Sequence, residues 1–449
     1  MKFNKWTMGL AAVGVVSLAS AARADETKMT QVQTALSNTT LSGYVDVAAQ
    51  WNAGSQNANR AAGIGGVVGM PAYAFGGIGK ADGFNLNAVD LALDKPMDES
   101  PWAAGYHVEM MFGPDSVPLG NTALKVGGVG IPGGAIVGGL GANSLRQAYL
   151  TLRTPVANSG IDWKVGVFDT IIGYESSSDP LNPNYTRSYG YSMEPTTETG
   201  ILATYKINDM VSVSAGIANT ANSDAIYATA INVSSIVRGT GLNNRAALES
   251  QKAYLASIAL TAPDSAGFMK GATFNAGIIE ADNGARGTTA NGTTSIYAGV
   301  TVPTPMTALK VGAAFDFLEL HNGGAGAQVP IGVAANASDD SVWNIGLYGN
   351  FQINDKASFN LRAEYLNDNG AGPYFGTYTT ALSPATGGNN AEELTATLQY
   401  NLWANVLSRL EVRWDHVEHG KAFDLTGVGP VSPAHDSAFM LALNLIYQF

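Results

Sequence analysis

Two groups of side chains in this 449-residue chain are dense enough in ionisable residues to do chemistry. The segment 171–197 carries Glu175, Asp179, Arg187 and Glu194, flanked by Asp169 and Glu198 and interleaved with Tyr174, Tyr185, Tyr189 and Tyr191. Far downstream, Arg362 with Glu364, and then Arg409, Glu411, Arg413 and Asp415, recur at every second position. Intermixed acids and guanidinium groups point less to an activated nucleophile than to a local electric field that orients polar solutes. That is the chemistry of recognition and passage.

Bond-making chemistry finds less support. There is no Cys, which removes thiolate metal sites and cysteine nucleophiles together. The five histidines are His107, His321, His416, His419 and His435, and no partner pattern for an activated Ser or water accompanies any of them. Asp415-His416-Val417-Glu418-His419 has metal-ligand residue types but lacks the i, i+4 histidine spacing of a helical site. Gly128-Val-Gly-Ile-Pro-Gly133 fits G-x-G-x-x-G, but Pro132 and the surrounding glycines suit a loop better than a strand-to-helix turn. The expectation is a protein that is not an enzyme and holds no cofactor or metal.

The elements that must position the charged rows are strands. In 406–416, Arg409, Glu411, Arg413 and Asp415 alternate with Leu410, Val412, Trp414 and His416. In 357–367, Asn360, Arg362 and Glu364 alternate with Phe359, Leu361, Ala363 and Tyr365. Period two with one continuously apolar face recurs in sixteen segments: 40–50, 84–95, 104–112, 145–154, 162–170, 198–206, 210–219, 253–262, 271–280, 295–303, 307–319, 341–352, 357–367, 392–402, 406–416 and 437–449. Each is near the ~9–11 residues that a tilted membrane strand needs. Links between them alternate short, as at 207–209, 304–306, 353–356 and 403–405, and long, as at 113–144, 171–197 and 220–252. The last strand keeps Phe439, Leu441, Leu443, Leu445, Tyr447 and Phe449 on one face up to the chain end. A charged fraction of 13%, against the usual ~25%, and 53 glycines complete the composition of a turn-rich all-β chain. These features predict a transmembrane antiparallel up-and-down β-barrel of about sixteen strands, with short periplasmic turns and long extracellular loops. A charge facing lipid at mid-depth costs about 2–4 kcal/mol, so the polar rows must face the lumen. At sixteen strands the lumen is wide enough to hold water.

Lys2 and Lys5 before the apolar run Met8–Ala19, and then Ala22-Arg23-Ala24, read as a signal peptide over 1–24. A short periplasmic segment, 25–39, precedes the barrel at 40–449. Loss of Lys2, Lys5 and Arg23 takes the formal net charge from −12 to −15. An acidic balance of this size disfavours nucleic acid as a partner.

Lys164-Val-Gly-Val-Phe-Asp-Thr-Ile-Ile-Gly-Tyr-Glu175, with Arg146-Gln-Ala-Tyr-Leu-Thr-Leu152 before it, resembles the OmpL-like outer-membrane β-barrel porins of Gram-negative bacteria. Gly166, Phe168, Thr170, Ile172 and Gly173 carry the local match, and the aromatic end at Phe449 adds to it. The resemblance implies a porin in the outer membrane, a water-filled channel for passive diffusion of ions and small hydrophilic solutes. In sixteen-stranded porins the third long loop narrows the lumen, which here would place Glu175, Asp179, Arg187 and Glu194 opposite Arg362, Arg409 and Arg413. Inward-reading acids (Asp46, Asp90, Glu109, Asp316, Glu364, Glu411, Asp415) nearly balance inward-reading bases (Arg153, Lys164, Lys310, Arg362, Arg409, Arg413). The excess negative charge then belongs to loops and turns, predicting a weak cation preference. Expected partners are outer-membrane lipid and lipopolysaccharide, the barrel assembly machinery through Phe449, small solutes, and two further copies in a homotrimer. The alternatives are a barrel enzyme (a lipid hydrolase or protease) or a surface adhesin.

Overall fold

A computed structural model describes residues 38–53, 82–116, 143–156, 159–219, 250–282, 292–321, 340–368, 378–380, 383–384, 390–419, 423–426 and 432–449. The expected signal peptide, most of the segment 25–39 and the glycine motif at 128–133 lie outside the described residues.

The described residues form twenty strands: β1 (Thr40–Ala53), β2 (Gly83–Lys95), β3 (Ala104–Phe112), β4 (Asn143–Thr154), β5 (Ile161–Asp169), β6 (Thr197–Lys206), β7 (Val211–Ala218), β8 (Ala253–Thr261), β9 (Thr273–Asp282), β10 (Gly292–Pro303), β11 (Leu309–Leu320), β12 (Asp340–Gln352), β13 (Ala357–Asp368), β14 (Tyr378–Thr380), β15 (Ser383–Pro384), β16 (Asn390–Trp403), β17 (Val406–Val417), β18 (Phe423–Thr426), β19 (Ser432–His435) and β20 (Ser437–Gln448). Sixteen of them close a barrel in the order β1–β13, β16, β17, β20, every pairing antiparallel between sequence neighbours. The other four make two separate hairpins, β14–β15 and β18–β19. Closure joins β1 to β20, where Gly43 and Phe449 exchange backbone hydrogen bonds of 3.1 and 3.0 Å. A closed sheet leaves no edge, so every strand satisfies its backbone without water.

Side-chain alternation sorts as the sequence predicts. On β20, Met440, Ala442, Asn444 and Ile446 are buried, while Phe439, Leu441, Leu443 and Leu445 point outward and are exposed. On β17 the charged row Arg409, Glu411, Arg413, Asp415 faces inward, opposite to Leu410 and Val412. Leu410 and Leu443 are register partners, so the outward apolar rows join across strands into one belt. Exposed Trp51, Trp403 and Tyr447 sit near strand ends, where an aromatic girdle belongs.

The short connections have local causes. Ile-Asn-Asp occurs at 207–209 and again at 353–355. The Asn208 carboxamide oxygen accepts from the amides of Met210 and Val211 at 2.8 and 2.9 Å, and Asn354 does the same for Lys356 and Ala357. Those bonds hold Met210 in the turn, one residue later than the expected strand start. Ala404-Asn405 forms a two-residue hairpin with Asn405 at φ 67°, a left-handed conformation that Asn tolerates. The link between β8 and β9 is longer and contains a 3₁₀ turn, Asp264–Met269, which delays β9 to Thr273.

Candidate functional site

After Asp169 the chain enters the barrel instead of turning along its rim. Gly173, at φ +123°, makes the bend in a region that side chains rarely adopt. Ile172 lies where Gly277 on β9 leaves room, and a Cβ there would come 2.8 Å from it. The Tyr174 hydroxyl meets Thr301 Oγ1 at 2.9 Å, and its ring stacks on Tyr348 with centroids 4.0 Å apart. Beyond it comes one short helix, α1 (Tyr189–Met193), capped where the Ser188 side chain accepts from the Tyr191 amide at 2.9 Å.

Apart from this helix and a 3₁₀ turn, Asp179–Leu181, the segment has no regular structure to satisfy its buried backbone. The charged rows of the wall do that instead. Glu411 accepts from the amides of Tyr185 and Thr186 at 2.6 and 2.9 Å, and Glu364 accepts from Tyr189 at 2.8 Å and Gly190 at 3.3 Å. Arg362 donates to the carbonyl of Thr186 at 2.8 Å, Arg413 to that of Arg187 at 2.6 Å, and Arg409 to those of Asp179 (3.1 Å) and Asn182. Acids take the N–H groups and arginines take the C=O groups.

Most of the sequence-predicted residues therefore meet in direct contact. The carboxylate of Glu175 lies 2.7 Å from Arg362 and also accepts from the Ser188 amide at 2.8 Å. Asp179 pairs with Arg187 of the same segment at 2.7 Å. Arg413 pairs with Asp415 at 2.8 Å, and Asp415 accepts from the Tyr189 hydroxyl at 2.6 Å. Glu194 is buried beside Gly173. Asp169 is held by Arg146 at 2.5 Å, away from this cluster. The expected arrangement, loop acids facing wall bases across open lumen, gives way to pairs closed at hydrogen-bond distance. A buried ion costs several kcal/mol to desolvate, and contact pairs with extra backbone bonds offset that cost where separated charges would not.

Burial also governs the titration of the segment's side chains. It pushes the Tyr174 phenol up to about 12, and it raises Tyr185 and Tyr189 well above the usual range. Burial alone would lower Arg187, but the adjacent Asp179 carboxylate outweighs it and holds the guanidinium charged.

Beside the segment, part of the barrel interior stays open. A space open to solvent is bounded by the segment from Thr170 to Glu175, by Ser212, Ser257, Thr273, Asn275, Thr301 and Lys310 of β7–β11, and by Tyr348, Asn350 and Leu361 of β12 and β13. Hydroxyls and amides of this wall stand among apolar neighbours such as Ile258, Tyr297, Val311 and Leu361. Two ionic groups escaped the sequence reading. Arg146 is buried in a pair with Glu109, and Glu393 lies 3.2 Å from Arg362. Glu393 follows Glu392, so alternation alone leaves either free to face inward; Arg146 has the parity of the exposed Leu150 and Leu152, and only the register shift opposite Glu109 and Met110 turns it inward, so alternation gave no signal for it.

The histidines stand apart. His416 Nδ1 meets Ser437 Oγ at 2.9 Å near the barrel rim, and its ring stacks on Trp414. No carboxylate holds His416 from its other side among the described residues. His107 is clasped by Asp94 and Glu109 at 3.2 and 3.3 Å.

Solved structures share this architecture at low sequence identity. The outer membrane channel DcaP of Acinetobacter baumannii is 12% identical, with 94% of this chain and 100% of that one covered at a TM-score of 0.51. An anion-selective porin from Comamonas acidovorans is 11% identical over 92% and 99%, TM-score 0.52. The trimer form of OmpT, an outer membrane protein of Vibrio cholerae, is 10% identical over 92% and 99%, TM-score 0.51. No curated protein matches the sequence at significance. The family model described as "Putative beta-barrel porin-2, OmpL-like" matches residues 38–449, the whole of the barrel, and the chain belongs to that family of outer-membrane porins.

Proposed function

We propose that the protein is a water-filled channel for passive diffusion of ions and small hydrophilic solutes, that it performs no bond chemistry, and that 171–197 is its constriction. The observation that carries this reading is the open space beside the segment, lined in part by Ser212, Ser257, Thr273, Asn275 and Thr301. Hydroxyls and amides replace part of a solute's hydration without binding it tightly, which is what passage requires. The charged residues of the segment and wall contribute by fixing the constriction in place. Net acidity outside the barrel wall concentrates cations at the mouths and gives a weak cation preference. The same reading takes 1–24 as a cleaved signal peptide, so the mature chain starts at Asp25. It takes the assembled form as a homotrimer in contact with lipopolysaccharide, delivered by the assembly machinery through Phe449.

Single-channel recording of the mature chain in a planar bilayer tests the central claim. Stable ohmic steps are expected. A verified, folded barrel that gives none would overturn it.

A further inference from the structure

Among the residues that border the open space, the carboxylate and ammonium groups are Glu175 and Lys310. Glu175 is committed, since Arg362 and the Ser188 amide occupy its oxygens and it is buried. Lys310 differs in each respect. It is partly exposed on the inner face of β11 and makes no ion pair or hydrogen bond with any of the described residues. Its register partners are Pro303 on β10 and Asn350 on β12, neither of them charged. The Asn350 carboxamide nitrogen donates to Asn360.

Much of the other inner charge cancels at short range. Closed pairs such as Arg362 with Glu175 or Arg187 with Asp179 act on a passing ion as dipoles, whose potential falls off faster than that of a single charge. A lone ammonium in a narrow lumen with low-dielectric walls keeps its full field within a Debye length of about 8–10 Å. Lys310 is the second residue of β11, directly after the short connection 304–308, so this charge stands at the short-turn end of the space.

We infer that Lys310 is the charge-selectivity residue of the lumen, a foothold for small anions of the carboxylate and phosphate class that offsets the cation enrichment at the acidic mouths. The inference rests on the channel reading above. It assigns anion passage to one side chain and not to the conspicuous arginine rows.

The test is the reversal potential of the mature barrel in a KCl gradient, compared with Lys310→Gln, Lys310→Glu and Lys310→Arg. Lys270→Gln serves as control, because Lys270 is exposed in the 262–272 connection and paired with Asp264 at 3.1 Å. The K⁺/Cl⁻ permeability ratio should rise about threefold or more in Lys310→Gln, the size expected for one charge at contact distance in a largely aqueous pore. It should rise further in Lys310→Glu and stay near the parent value in Lys310→Arg and Lys270→Gln. Inorganic phosphate should depress the chloride current of the parent and not that of Lys310→Gln. Equal ratios in parent and Lys310→Gln, with both barrels shown to be folded by heat-modifiable gel mobility, would overturn the role of Lys310 and leave the channel intact. No conductance from any folded barrel would overturn the channel and this inference together.

Discussion

Arg362 Nη1 lies 2.7 Å from Glu175 Oε1, across 187 residues of sequence, and there β13 takes hold of the segment that enters the barrel. The same guanidinium reaches the Thr186 carbonyl at 2.8 Å and Glu393 at 3.2 Å. One side chain therefore neutralises two carboxylates and satisfies part of an irregular backbone. Hydrophobic contact alone would not hold such a segment, because its peptide groups would remain unsatisfied.

Removing that hub should free the segment. Arg362→Ala leaves Glu175, Glu364 and Glu393 buried without their shared cation, which costs roughly 3–5 kcal/mol. Thermal unfolding in detergent should shift downward, and single-channel recordings should show larger and noisier steps. Steps identical to those of the parent would mean that the segment does not narrow the pore.

Gly173 tests the bend at which the chain turns inward. At φ +123°, an alanine is strained whatever the space, and its Cβ would press on the Glu194 carboxylate. Gly173→Ala should destabilise by more than about 1 kcal/mol and raise protease sensitivity within 171–197. An unchanged cleavage pattern and midpoint would show that the bend survives without glycine.

Alkaline titration reads the packing of Tyr174. Its phenol, raised by burial to about 12, keeps its proton in the folded state after an unfolded tyrosine, near 10, has lost one. The stabilisation is complete below pH ~10 and disappears as pH rises through about 12. Absorbance at 295 nm should show a late-titrating phenol in the parent that is missing in Tyr174→Phe. Should that substitution remove a phenol titrating near 10 instead, the stacking on Tyr348 would be absent in solution.

The outward belt has its own assay. Leu443 and Leu410 are paired across β20 and β17 and both face out. Leu443→Arg should cost about 2–4 kcal/mol in folding free energy measured in lipid vesicles if it sits near the bilayer midplane. A loss below about 0.5 kcal/mol would place this position at an interface instead.

Alternation along 357–367 and 406–416, the Asn-Asp turns at 208 and 354, and the aromatic end at Phe449 were enough to determine sixteen strands, their inward rows and closure into a barrel. Those are local properties: a period of two and a turn of four residues are written in neighbouring positions, and a single buried face forbids register slips. What Arg362, Arg409 and Arg413 hold was decided only by the tertiary structure. Alternation says that they face inward, but Glu175 and the carbonyls of Asp179, Thr186 and Arg187 reach them from a segment about 175–230 residues away, which only the closed barrel brings beside them. The same closure sets which inner charges cancel. Lys310 and Arg362 carry equal weight as inward-reading bases in the sequence, yet one faces the open space and the other is enclosed by carboxylates, because the segment brings Glu175 to Arg362 and leaves the lumen beside Lys310 open.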